Sequence, residues 1–381
     1  MYMNLKIEDL LFRDVVQNDM SAAADLIEGR VVMVTGGAGS VGSELCKQVL
    51  ELGCALVIVY DFNENGLYEI GEVMNEYKEF GRNRYKLCLG SICDLRRLNE
   101  VIREYKPDIL FHAAAHKHVP MMELNPFEAI KNNVVGTINV VNACVQNDVD
   151  KFILISTDKA VNPVSIMGAS KRVAELIVKY MSVQNIRTEF AAVRFGNVFG
   201  SSGSVVPRFK QQIDKGGPVT LTHMDMIRYF MTISEAIGLV LTAGAFAKGG
   251  EIFTLDMGYP IKIYDLAVDL IRLAGYEPEV DIKIEIVGIR PGEKLYEELF
   301  FNYETVDRTS HEKIFVLKNE CLQDWNSFNN QLQQMIETAE KGKDEISLRE
   351  ALFALVRSRE YDNKAMPKSR IDVSTRILQN A

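Results

Sequence analysis

The residues best placed for chemistry begin at Thr35-Gly36-Gly37-Ala38-Gly39-Ser40-Val41-Gly42, where an apolar run gives way to a helical pattern. Glycines at 36, 39 and 42 keep a GxxGxxG spacing. Gly36 permits a tight turn, Gly39 lets the backbone approach a pyrophosphate, and Gly42 allows close packing of helix on strand. Ser40 and Val41 open that helix, whose free N–H groups suit an anion. Asp61 closes the next apolar run, 19 residues beyond Gly42. A carboxylate there accepts from both ribose hydroxyls and repels a 2′-phosphate, so the pattern predicts NAD rather than NADP. Glycines alone would be a weak signal; the strand–turn–helix context and the acid at 61 strengthen it. Ser91 and Ile92 follow a further strand-like run, 85–89, and are expected to flank the adenine. Ala113, Ala114 and Ala115 close the next one. Their small side chains either leave room for the cofactor or pack strand against helix.

These residues need elements to hold them. Short, β-rich runs at 31–34, 55–60, 109–111, 152–155 and 190–193 are apolar on both faces, as buried parallel strands are. Helix-length segments at 43–52, 65–80, 96–105, 127–147 and 168–185 lie between them. The alternation predicts an α/β fold, a doubly wound parallel Rossmann sheet. Ligands bind such sheets at the carboxyl ends of the strands. His112, Ser156-Thr157-Asp158-Lys159 and Arg194 would share that rim with the glycine loop. Past residue 200 the rhythm loosens, with helical patterns near 233–247, 263–274 and 293–300. The expected organisation is a helical leader over 1–29, with Ile7, Leu10 and Leu11 as its stripe. An NAD-binding domain over 30–200, a smaller, mostly helical substrate lobe over 201–320 and a helical extension over 321–381 follow.

Composition excludes several classes. Of 381 residues, 47% are hydrophobic and 25% charged, ordinary for a globular chain. A formal net charge of −9 argues against general nucleic-acid or anionic-membrane binding. The six cysteines form no CxxC pair, so neither a disulfide scaffold nor a zinc site is expected. His112, His116 and His118 lack a carboxylate-flanked ligand pattern, and no metal is expected. No apolar run reaches the roughly 18 residues of a membrane span. Glu8, Asp9 and Asp14 stand where a secretory signal would be apolar, so the expected location is the cytoplasm.

Four strings carry a resemblance: Ala113-Ala114-Ala115-His116-Lys117-His118-Val119-Pro120, Ser156-Thr157-Asp158-Lys159-Ala160-Val161-Asn162-Pro163, Met167-Gly168-Ala169-Ser170-Lys171 and Arg194-Phe195-Gly196-Asn197-Val198. Over about residues 30–310 the chain resembles the extended short-chain dehydrogenase/reductases, and among them the polysaccharide-biosynthesis group of UDP-N-acetylglucosamine 4,6-dehydratases. In that family a Ser or Thr, a Tyr and a Lys four residues later form the oxidation centre. Thr157 and Lys171 match; Met167 replaces the Tyr. The C5-retaining subgroup carries this Met and the C5-inverting subgroup keeps the Tyr. The chain resembles the short soluble form, without an N-terminal membrane region.

The resemblance implies oxidation at C4 of a UDP-sugar, loss of water across C5–C6 and hydride return to C6. It makes Asp158 the general acid and Lys159 the general base. Thr157 assists C4-hydroxyl deprotonation, through a water beside Met167, and Lys171 holds the nicotinamide ribose. Lys159 is expected to be partly neutral, its pKa pushed down by Lys171 and the nicotinamide. At the nucleotide end, Asn197 and Arg290 approach the diphosphate with Arg228 nearby, Glu293 accepts from the uridine ribose, and Ser204 and Val205 pass the uracil. Lys117 is a weaker candidate. Family habit implies a homo-oligomer. Alternative readings are a C5-inverting dehydratase, a UDP-sugar 4-epimerase, and a catalytically silent NAD-binding regulator.

Overall fold

A computed structural model describes residues 19–76, 84–184, 187–302, 304–318 and 324–361. The stripe Ile7, Leu10 and Leu11, together with Cys321 and the chain's last residues, lies outside them.

The apolar runs form parallel strands β1 (Val31–Thr35), β2 (Leu56–Asp61), β3 (Tyr85–Leu89), β4 (Ile109–His112), β5 (Lys151–Thr157) and β6 (Glu189–Phe195). Four further strands follow: β7 (Asn197–Val198), β8 (Val219–Leu221), β9 (Ile227–Met231) and β10 (Ile252–Leu255). The last are β11 (Pro260–Lys262), β12 (Ile284–Ile286), β13 (Thr305–Arg308) and β14 (Ile314–Lys318). The main sheet has nine strands in the order β13-β14-β10-β6-β5-β4-β1-β2-β3. β3 through β10 run parallel, and the β14–β13 edge is antiparallel. The chain winds outward from β1 through β2 and β3, then restarts at β4 on the other side. The crevice between β1 and β4 is therefore the switch point where ligands lodge.

Helices cover both faces. On one lie α1 (Ser21–Ile27), α2 (Ser40–Glu51), α3 (Glu64–Glu76) and, later in the chain, α10 (Ile233–Phe246). On the other lie α4 (Leu95–Tyr105), α7 (Gly136–Gln146) and α8 (Ile166–Gln184). Short helices α5 (Val119–Leu124) and α6 (Pro126–Ala129) precede α7. A π turn over Ile130–Val135 interrupts the single helix expected at 127–147. It seats the Asn133 carboxamide between the His116 backbone and the Ser170 hydroxyl. A smaller region is built from α9 (Val205–Asp214), α11 (Ile263–Leu273), the sheet β11-β9-β7 and the pair β12-β8. Its own core includes Phe199 stacked on Phe230 at 4.4 Å.

The expected boundaries at 200 and 320 do not follow the strand pairing. α10, β10, β13 and β14 return from the 201–320 stretch to the main sheet. α10 is apolar around its whole circumference and buried from Glu235 to Gly244, a helix only the large core can cover. The smaller region is also more β than expected, because strands of two to five residues leave no readable period. The segment near 293–300 is irregular rather than helical. Lys294 and Glu298 instead tie it to the Val161 carbonyl and the Asn162 amide. Ala23 and Ile27 of the leader are fully buried. Helices α12 (Trp325–Lys341) and α13 (Glu345–Tyr361) put Phe328, Leu332, Leu348 and Leu352 into the α8 side of the core. No described helix is long and apolar enough to cross a membrane.

Candidate active site

The glycine loop is a cradle whose tightest positions, Gly36 and Gly42, have no room for a side chain. Gly36 has φ 71°, and a Cβ there would stand 2.5 Å from the Ala114 nitrogen. A Cβ on Gly42 would stand 2.0 Å from the Gly36 oxygen. Asp61 is 8% exposed, and its two oxygens accept from the Ala38 and Asn63 N–H groups at 3.0 and 2.9 Å. Its carboxylate is thus fixed in direction with lone pairs left for hydroxyl donors. Asp61, Ile92 and Ala114 line a recess of about 220 Å³. It shares Gly36, Gly39, Ala113 and Ala115 with a main cavity of about 1030 Å³, which Ser40, Val41 and Gly42 also line. Cradle, fixed acid and recess fit a dinucleotide. Ser91 lines neither space. Its carbonyl accepts from the Tyr60 hydroxyl and its own hydroxyl from the Cys93 N–H, so it braces the turn instead of facing adenine.

The strand end β5 delivers Thr157 and Lys159 to the cavity, and the first turns of α8 deliver Met167 and Lys171. Asp158 lies beneath the floor, 1% exposed. Its Oδ1 accepts from the Thr157 hydroxyl at 2.9 Å and from Lys159 Nζ at 3.0 Å, while its Oδ2 is buried without a partner among the described residues. Lys159 Nζ also donates to Asn197 Oδ1 at 3.1 Å and lies 3.6 Å from Glu297 Oε1. Lys171 Nζ donates to the Ile155 carbonyl at 2.7 Å, and burial pulls its pKa down to about 8. Met167 is 4% exposed. No tyrosine is among the described residues lining the cavity.

Lys159 departs from expectation. Burial does work against its charge, but the Asp158 and Glu297 carboxylates together outweigh burial and raise its pKa above the ordinary value. In the unliganded chain it is an ammonium, not a partly neutral amine. Glu297 is a residue the sequence reading missed, because it falls in a segment taken for an ordinary helix.

Behind the floor a buried charge cluster sets the strand end. Glu175 accepts from Ser156 Oγ at 2.6 Å and from Arg194 Nε at 2.7 Å, and Arg194 NH1 donates to Glu304 Oε2 at 2.9 Å. Burial alone would raise the Glu175 pKa; Arg194, Arg172 and Ser156 instead hold it down to about 2. Ser156 precedes Thr157, so this network fixes where the Thr157 hydroxyl emerges.

Lys117, Asn197, Ser204, Val205, Arg228, Arg290 and Glu293 all line the cavity, but Asn197 and Arg228 stand beside Lys159 and Glu297 rather than apart from them. Burial lowers the Lys117 pKa. Arg228 is less available than expected: its guanidinium donates to the carbonyls of Ile227, Lys294 and Leu295 and approaches Glu297 at 3.7 Å. Arg208, on the first turn of α9, was not anticipated. Its pKa is lowered by burial and then by the like charge of Arg290, with Glu293 opposing. Two facing cations favour an anionic group between them. Ser204 caps α9 with its hydroxyl buried and unpartnered among the described residues.

The histidines divide. His112 is fully enclosed between Thr35 Oγ1 at 2.7 Å and Thr137 Oγ1 at 3.0 Å, and burial lowers its pKa to about 3. His116 and His118 line the cavity. Among the described residues no three His, Cys, Asp or Glu side chains gather as a metal site requires.

A doubly wound sheet with a glycine cradle at its switch point, an acid closing β2, and a Thr–Lys pair over the same rim defines an extended short-chain dehydrogenase/reductase. The chain belongs to the polysaccharide biosynthesis protein family, which matches residues 32–319. Capsular polysaccharide biosynthesis protein CapD of Staphylococcus aureus is 51% identical over 312 residues, 82% of this chain and 52% of that protein. This chain therefore spans about half of that relative's length. A UDP-N-acetylglucosamine 4,6-dehydratase (inverting) of Campylobacter jejuni is 37% identical over 278 residues, 71% of this chain and 78% of that one. A UDP-glucose 4-epimerase of Rickettsia akari is 35% identical over 274 residues, 71% and 77%. Among solved structures, Pen from Bacillus thuringiensis superposes with a TM-score of 0.70 at 33% identity, covering 77% of this chain and 89% of that one.

Proposed function

We propose that the protein is an NAD-dependent UDP-N-acetylglucosamine 4,6-dehydratase that retains the configuration at C5. The observation that carries this reading is that Thr157 and Lys159, both hydrogen-bonded to the buried Asp158 carboxylate beneath them, face one cavity with Met167 and Lys171. NAD, when bound, supplies a reversible hydride acceptor, so that C4 becomes a carbonyl and the C5 proton becomes acidic.

The Gly36–Gly42 cradle and Asp61 would hold the dinucleotide, and Lys171, fixed by the Ile155 carbonyl, its second ribose. Thr157 can take the C4 hydroxyl proton while passing its own to Asp158 Oδ1 along their 2.9 Å hydrogen bond. Asp158 is thereby loaded as the acid that protonates the departing C6 hydroxyl. Lys159, having first released its ammonium proton to solvent, takes the C5 proton, exchanges with solvent as an ammonium and then reprotonates C5. The C4 hydroxyl proton leaves in water, and C5 regains a solvent-derived proton from Lys159. Positioned groups of this kind each contribute about 10²–10⁴-fold.

Met167 supports the retaining over the inverting outcome, since among the described residues no phenol lines the cavity to reprotonate C5 from elsewhere. An epimerase would have no need of an acid–base pair beside Thr157. The test is incubation with UDP-N-acetylglucosamine in deuterated water, followed by NMR. A 4-keto-6-deoxy sugar with deuterium at C5 and gluco-type configuration is expected. An inverted C5 would assign the inverting class, a C4 epimer with its C6 hydroxyl intact would assign an epimerase, and no turnover would leave a binding protein.

A further inference from the structure

Glu297 belongs to no element and to none of the motifs, yet it reaches the reacting group from far along the chain. Its side chain is 4% exposed. Oε1 stands 3.6 Å from Lys159 Nζ and 3.7 Å from Arg228 NH2, and Oε2 is buried with no partner among the described residues. A buried carboxylate with an orphaned oxygen is costly unless a charge stabilises it. The segment that carries it is pinned from three sides. Lys294 Nζ donates to the Val161 carbonyl at 2.9 Å, Asn162 Nδ2 donates to Glu298 at 2.9 Å, and Arg228 donates to the carbonyls of Lys294 and Leu295. Val161 and Asn162 are in the same loop as Lys159, so acid and lysine are held in one register.

We propose that Glu297 is a positioning residue that acts through Lys159, fixing where its amine points and holding it as the protonated partner of two carboxylates until substrate is bound. The charged groups facing Lys159 are Asp158 from its own turn, Glu297 from the 293–301 segment and Arg228 from β9. Arg228 opposes the ammonium, so Asp158 and Glu297 are what sustain it. In the reaction cycle Asp158 must accept the C4 hydroxyl proton, after which its carboxylate no longer holds the lysine. Glu297 is then the remaining anion beside Lys159, and it stabilises the ammonium that forms when the C5 proton arrives.

The inference rests on Lys159 as the base, and the experiment separates the two. Lys159 is labelled competitively with acetic anhydride across a pH series in the free protein, and its peptide is quantified by mass spectrometry. In parallel kcat and KM are measured against pH. With Glu297→Gln, Lys159 should label at least tenfold faster at neutral pH, a fall of one pKa unit or more. The rising limb of kcat should move to lower pH by a similar amount, with KM changed less than threefold. Glu297→Asp, which restores the charge on a shorter stem, should fall between. Labelling curves that superimpose on the wild type in a folded Glu297→Gln protein overturn the proposal. A shifted labelling curve with an unmoved kcat limb keeps Glu297 as the holder of Lys159 and overturns Lys159 as the base.

Discussion

Replacing Lys159 with Met separates the two halves of the proposed reaction. The oxidation half depends on Thr157 and Asp158, whose 2.9 Å hydrogen bond does not involve the lysine side chain. The elimination half depends on the amine that takes the C5 proton. Losing a positioned base is worth about 10²–10⁴-fold, or roughly 3–5 kcal/mol on the barrier to water loss. Removing the ammonium leaves the Asp158 and Glu297 carboxylates buried together, 1% and 4% exposed by side chain, with Arg228 as the remaining cation. Breaking a fully buried pair costs about 3–5 kcal/mol; Lys159 is 21% exposed by side chain, so a smaller penalty, roughly 1–3 kcal/mol, is expected. The enzyme should fold, bind dinucleotide and sugar, and stall after oxidation. In a single turnover, absorbance of the reduced dinucleotide should rise and persist, and NMR should show a 4-keto sugar that keeps its C6 hydroxyl and takes up no deuterium at C5. Asp158→Asn gives the contrast, because Asn cannot receive the Thr157 proton: neither reduced dinucleotide nor product should form. Dehydration by Lys159→Met at more than a few per cent of the wild-type rate, or a stall before any reduced dinucleotide appears, would refute the division of labour.

Three further outcomes follow from the same geometry. Gly42→Ala places a Cβ 2.0 Å from the Gly36 oxygen, so the loop backbone must shift: dinucleotide affinity should fall more than tenfold in a fluorescence titration and the melting temperature should fall with it. His112 has a folded pKa near 3, below its ordinary 6.5, so the unfolded chain takes up a proton that the folded chain refuses. Stability should therefore fall by about 1.4 kcal/mol per pH unit as pH drops below 6.5, and urea melts of His112→Gln should lose most of that slope between pH 6.5 and 5. Glu175, held down to about 2, adds its own loss only below its usual 4.5. Finally, Arg349 on α13 donates to Glu123 Oε2 at 2.7 Å, and Glu123 Oε1 accepts from the Ile166 N–H that begins α8. Arg349→Ala should cost roughly 1–2 kcal/mol and lower kcat more than it raises KM, with Trp325 fluorescence, set against Tyr180, unchanged if the extension stays docked.

What could be read from the sequence was whatever depends on neighbours along the chain. The glycine cradle, Asp61 and the β5 end are each compact strings whose spacing already encodes a turn, a strand end or a helix start, and they meet because parallel strands share one rim. The smaller region was misjudged because its strands are too short to show a period, and because α10 and β10 rejoin a sheet that the chain had left. Pairing of that kind is decided by burial. A helix as uniformly apolar as α10 can only lie on the large core, so its composition did hold the signal, had it been weighed against the size of the region it was assigned to. Charge states were the least legible. Sequence proximity suggested that Lys171 would depress Lys159, since both follow β5. In three dimensions Lys171 is turned to the Ile155 carbonyl, and the groups that govern Lys159 are Asp158 beside it and Glu297 from a distant loop. Coulomb energy depends on distance in space and on local screening, so a pKa argued from spacing along the chain is sound only where the fold keeps both groups on the same element facing the same cavity. Lys159 and Lys171 meet the second condition and fail the first.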